Sequence, residues 1–235
     1  MSSLIVAGDV SGSITLQAPS ASGSSVLTLP AVTDTLVGKA TTDTLTNKTL
    51  TSPVLTTPNL GTPSTLVLTN ATGLAAAAMP AGSVLQVVST TITGTFTTSS
   101  VLPTYVDVTG LTVTITPASI ADNVLVIASF KASQATAYTH GWFKLQRNGT
   151  DIYLGNAAGS RTRVSSHVTG DNVAQTYQVA IHFLDSPSST SAVIYKIVAC
   201  SQNLYTVTVG RNGSDPDNDT TPRVPSTITA IGIKG

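Results

Sequence analysis

The sequence predicts an all-β protein: a short N-terminal β module, an extended shaft intertwined between identical chains, and a C-terminal β-sandwich of jelly-roll type. Three observations predict it. All eleven acidic residues are aspartates, so glutamate, a good helix former, is absent. More than a quarter of the chain is Ser or Thr; Thr is stiff at χ1 and suits a pleated strand, while Ser and Asp draw the backbone into turns. Finally, leucines recur at Leu45, Leu50, Leu55 and Leu60 and prolines at Pro53, Pro58 and Pro63, a spacing of five that matches neither the helical nor the strand period.

The N-terminal module is expected over residues 1–43. It contains two short apolar runs, 13–16 and 26–29, split by a turn-forming stretch at 18–25 with Pro19 and Gly23. It is too short to build a large core alone. Residues 1–10 have no basic region and carry Asp9, which does not fit a secretory leader, so synthesis in the cytoplasm is expected.

The shaft is expected over 44–80. A proline in every pentad removes an N–H and strikes the carbonyl four residues back, which forbids a helix. The residue before each proline is pushed towards extended conformations. At about 3.1 Å per residue, 44–68 would then span roughly 70 Å. An extended segment has no interior, so leucines at positions 45, 50, 55 and 60 can be buried only by something outside it. Identical chains winding about one axis would do this. A disordered Pro/Thr-rich linker is the alternative, but such linkers are usually charged, and no charged residue lies between Lys48 and Asp107.

The head, 81–235, reads as many short strands, the better candidates being 84–88, 111–116, 124–130, 142–146, 175–184, 192–199, 204–209 and 227–233. Leu111, Val113 and Ile115 alternate with Thr112, Thr114 and Thr116, as in a sheet with one wet face. Asn148-Gly149 marks a hairpin, because both residues tolerate the positive φ of a type I′ turn.

Charge narrows the function. Charged residues make up 9% of the chain and the net charge is zero, so there is no clustered Lys and Arg to attract nucleic acid or an anionic membrane surface. The longest apolar run, 73–81, is too short to span a membrane as a helix. Cys200, the single cysteine, sits beside the apolar run 193–199 and reads as a buried thiol. No Gly-x-Ser-x-Gly elbow, phosphate loop or zinc spacing occurs, and Ser11 is one place off a nucleophile elbow. Neither enzyme activity nor a cofactor is expected.

Two clusters remain. Asp215, Asp217 and Asp219 alternate as in a calcium loop, but Thr220 and Ser226 stand where an EF-hand needs Gly and Glu; a solvated loop is the favoured reading and a weak oxygen-ligand site the other. Tyr138, His140 and Trp142 concentrate aromatics in an aromatic-poor chain. They could form a receptor-facing platform that stacks on sugar rings, although a Trp that starts a strand usually belongs to the core.

The strings Ile14-Thr-Leu-Gln-Ala-Pro19, Leu27-Thr-Leu-Pro30 and Thr44-Leu-Thr-Asn-Lys-Thr-Leu-Thr-Ser-Pro53 resemble the repetitive segments of bacteriophage tail fibres and related virion proteins. The run Ser226-Thr-Ile-Thr-Ala-Ile-Gly-Ile233 is similar to the last strand of their β-sandwich heads. The first match covers about the first quarter of the chain. The resemblance implies a virion component, usually a homotrimer. Its N-terminal region would dock to other phage tail or capsid proteins and its head would meet a host surface glycan or protein, with no nucleic acid bound and no membrane insertion. A tail fibre is the first reading and a capsid decoration or head-fibre protein the second, while a bacterial surface adhesin fits less well without a leader. The axial His-x-His metal pair of some trimeric fibres has no counterpart, because His140, His167 and His182 are isolated in sequence.

Overall fold

The computed structural model describes residues 3–7, 11–17, 31, 44–46, 49–62, 65 and 75–235. It divides the chain into two units, Met1–Leu66 and Val67–Gly235. Both are β or irregular; the described helix is a single 3-10 turn at Ala76–Ala78.

In the first unit, β1 (Ser3–Ala7) and β2 (Ser13–Gln17) form an antiparallel pair, in register from Ser3↔Gln17 to Ala7↔Ser13. Gly12 takes φ +82 before β2, a conformation that costs glycine nothing because it has no Cβ. The apolar run at 13–16 is therefore a strand, paired with residues that precede it. The second run, 26–29, and the turn at 18–25 lie outside the described residues.

Residues 49–62 contain neither helix nor strand, and the chain bends at 51–52 and again at 56–57. This corrects the expectation of a uniformly extended backbone. Ser52 and Thr57, directly before Pro53 and Pro58, have φ +50 and +48, and Gly61 has φ +61. A proline pushes the residue before it towards extended conformations, so the positive φ at Ser52 and Thr57 departs from that preference at the point where the chain bends in each pentad. Pro63 lies outside the described residues.

The second unit holds β3 (Val84–Ile92), β4 (Phe96–Thr98), β5 (Val106–Ile115), β6 (Asn123–Gln134), β7 (Thr139–Arg147), β8 (Thr150–Ile152), β9 (Ser166–Gly170), β10 (Tyr177–Asp185), β11 (Val193–Ser201), β12 (Val207–Val209) and β13 (Ser226–Ile233). Every run predicted as a strand in 81–235 coincides with part of one of these. The short β4 and β9 were not predicted, because each has one apolar residue (Phe96 and Val168) among polar ones and so shows no alternation. The hairpin was: Asn148 and Gly149 have φ +48 and +82 and join β7 to β8.

The strands form two antiparallel sheets. In one, the order is β3-β13-β6-β10, with β12 and β4 continuing beside the far end of β6. In the other it is β5-β11-β7, with β9 and β8 sharing the outer edge of β7. Leu111, Val113 and Ile115 of β5 face Val124, Val126, Ala128 and Phe130 of β6 in one core, and threonines take the solvent side of β5. Phe130 and Phe143 meet edge to face across it, centroids 5.1 Å apart at 68°, the arrangement the ring quadrupoles favour.

Polar staples tie the sheets together. Gln134 of β6 donates from Nε2 to the Val168 carbonyl (2.6 Å) and accepts from the Gly170 N–H (3.0 Å). Asp185 of β10 accepts from Arg147 Nη1 (2.9 and 3.0 Å) and from the Tyr195 hydroxyl (2.6 Å). Burial and then that hydrogen bond push the Tyr195 phenol far above its usual range.

The two ends of the sandwich differ. At one, the Gly82 N–H donates to Lys234 O and the Lys234 N–H to Ser83 O, and the buried Asp122 carboxylate accepts from the Ser119 and Gly235 N–H groups. The chain enters and leaves the sandwich there. β6 runs from Asn123 at that end to Gln134 at the other, where the connections 135–138, 171–176, 202–206 and 210–225 gather. On the outside of the first sheet, Val87, Ile231, Leu125 and Leu184 line up in register across four strands as an apolar band, followed by the hydroxyl pairs Ser89–Thr229 (2.8 Å) and Thr91–Thr227 (2.9 Å).

Candidate functional site

The Tyr138, His140 and Trp142 cluster straddles the start of β7, at the end of the sandwich away from the chain entrance. Alternation decides which way these side chains face. Gly141 and Phe143 point into the core, so His140 and Trp142 point outward and are half-buried. Trp142 is therefore not a core residue, which corrects the expectation from its position in the strand. The imidazole of His140 stacks parallel to the indole, centroids 6.0 Å apart at 7°, and its Nδ1 hydrogen-bonds Thr169 Oγ1 at 2.7 Å. Pairing of β7 with β9 sets His167 opposite Trp142, a neighbour that sequence separation concealed.

Tyr138 departs from this platform. It lies on the β6–β7 connection, 77% exposed, with φ +60, its N–H donating to Gly170 O at 2.6 Å. A bulky residue at positive φ is an outlier that the surroundings must hold in place. The structure therefore brings His140 and Trp142 together and leaves Tyr138 apart.

What sequence reasoning missed is the cleft beside Trp142. It measures about 450 Å³ and runs between the turn at Val101 and Leu102 and the turn at 201–204. Ser201, Gln202 and Asn203 supply its polar lining and Leu204 its rim. The second turn is pinned by Ser201 N–H to Ser100 O (2.7 Å), Gln202 N–H to His140 O (3.0 Å) and Tyr205 N–H to Gln202 O (3.1 Å). Asn203 and Leu204 are consecutive left-handed residues, φ +52 and +65. Only the positive φ hints at function, and φ cannot be read from sequence.

Cys200, opposite Trp142 on β11, is fully buried, and burial pushes its thiol up, as it does the neighbouring Tyr105 phenol. Lys144 sits over the Tyr105 ring at 4.1 Å and pairs with Asp151 at 2.6 Å. Burial raises the Asp151 carboxyl, but hydrogen bonds from Lys144 and Gln146 outweigh it and hold the group below its usual range.

The aspartate loop has other partners. Asp215 is clamped by Arg223 and by Arg211 (3.1 Å), and the Arg223 hydrogen bond lowers its pKa. Asp217 and Asp219 do not join it: among the described residues no three His, Cys, Asp or Glu side chains gather where one ion could be held. The four pentad leucines, Leu45, Leu50, Leu55 and Leu60, are each about half exposed in the single chain.

No protein-family model matches this chain, and no curated protein matches it as a relative.

Proposed function

We propose that this chain is a structural subunit of a tailed bacteriophage, a homotrimeric tail fibre without catalytic activity that is carried on the virion and attaches it to the host cell. The phage assignment comes from the resemblance of the strings in the first quarter of the chain, and the observation that carries an oligomeric fibre is the pentad segment. Its leucines recur every five residues, it bends at the same interval, and they stay about half exposed in one chain. Thr57 is β-branched and sits at positive φ, a strain that persists only where the surroundings over-determine it. Identical chains around one axis supply both the missing burial and the constraint.

The head supports the same reading. The expectation of a jelly roll, a fold used in viral structural proteins, draws support from the sheet orders β3-β13-β6-β10 and β5-β11-β7-β9. Within the head, the cleft lies at the end away from Gly82 and Lys234, and the proposal assigns that end to the host surface. Three copies of a weak site then bind a cell surface by avidity.

The test is the mass and location of the intact protein. Light scattering at micromolar concentration should give three chains per particle, and a monomer sinks the reading. Labelled antibody on virions should decorate the tail; decoration of the shell would instead assign a capsid-decorating fibre.

A further inference from the structure

The cleft beside Trp142 is uncharged. Its walls are an indole, the aliphatic side chains of Val101 and Leu102, and the polar groups of 201–203, with no Asp, Lys or Arg among them. A charged ligand would lose hydration there without gaining a counter-ion. The Gln202 backbone is committed, donating to His140 O and accepting from Tyr205 N–H and Ser201 Oγ, whereas its side-chain amide has no partner among the described residues. Such an amide both donates and accepts, as a sugar hydroxyl does. The indole is held on a strand and stacked on His140, so it presents a fixed aromatic surface at little entropic cost. The volume, about 450 Å³, is within the range of small-molecule sites.

We infer that this cleft binds a neutral pyranose sugar, its C–H face packed on Trp142 and its hydroxyls hydrogen-bonded by Gln202 and Asn203. The inference rests on the reading of the head as the host-facing part of a fibre and names the ligand class of that site. Tyr138 takes no part, since it does not line the cleft.

Trp142 is the single tryptophan of the chain, so its fluorescence reports this site alone. The intact protein is titrated with methyl glycosides of glucose, galactose, mannose and N-acetylglucosamine, with N-acetylneuraminic acid as the charged control and an acetylated leucine amide as the aliphatic control. At least one neutral glycoside should shift the emission saturably and receive saturation transfer by NMR. Gln202→Ala, on an exposed turn, should weaken that binding about tenfold, and Tyr138→Ala should leave it unchanged. Saturation by the acid or the leucine amide alone overturns the proposal, as does silence with all four glycosides. If the glycosides fail while light scattering still gives a trimer, the sugar site falls and the fibre reading stands; sugar binding by a monomer has the opposite meaning.

Discussion

In the head, Leu111, Phe143, Leu145 and Ile197 are wholly removed from solvent by one chain, whereas in the pentad segment Leu50, Leu55 and Leu60 remain about half exposed and Val54 is 97% exposed. Both regions draw on the same hydroxyl-rich, charge-poor composition. The difference is periodicity. A period of two puts every second side chain on one face, and two such faces close on each other. A period of five with prolines leaves the chain no face of its own, and in the fibre proposed above its leucines are covered by other chains. The head's core is thus closed within one chain, and in the proposed trimer the segment's order would depend on concentration.

The comparison can be broken most sharply in the segment. Leu50→Ser with Leu55→Ser should cost about 1 kcal/mol per side chain, on the order of 6 kcal/mol over a trimer. Sedimentation should show dissociation while the head's unfolding midpoint stays put. A parallel loss in the head would mean that the two regions are not independent.

Phe143→Ala tests the other half. It removes a buried ring and its edge-to-face contact with Phe130, and should cost about 4 kcal/mol in urea unfolding. Asp185→Ala leaves Arg147 and the buried Tyr195 hydroxyl without their acceptor and should cost about 3 kcal/mol. Neither should change the interactions of the pentad leucines.

The smallest effect sharpens the head's pH response. The Asp151 carboxyl is lowered in the folded state, so it contributes stability above its unfolded pKa, near 4, and loses it as pH falls through the folded value. Asp151→Asn should therefore flatten the acid limb of the stability curve below about pH 4 by less than about 1 kcal/mol. Thermal melts across that range measure it, and an unchanged limb would remove the Lys144 pair from the account.

Much of the architecture was legible. The absence of Glu, the Thr/apolar alternation at 111–116 and the Asn148-Gly149 turn each correspond to an observed feature. The site was half legible: the aromatic cluster stood out, but its sidedness and its neighbours did not. A strand can bury either of its faces, and the start of β7 offers Gly141 and Phe143 against His140 and Trp142 with little to choose between them by hydrophobicity alone. The β6 strand opposite settled it by taking Phe143 against Phe130.

The sequence by itself determined that this protein is built of strands and turns and that one segment repeats every five residues, because propensity, proline geometry and periodicity act over a few neighbours. Only the tertiary structure decided that Trp142 faces outward, that Val101 and Gln202 stand beside it, and that Asp215 is spent on two arginines. Those contacts join residues far apart in the chain, and pairing register, which brings them together, is set by the whole sheet rather than by any local run.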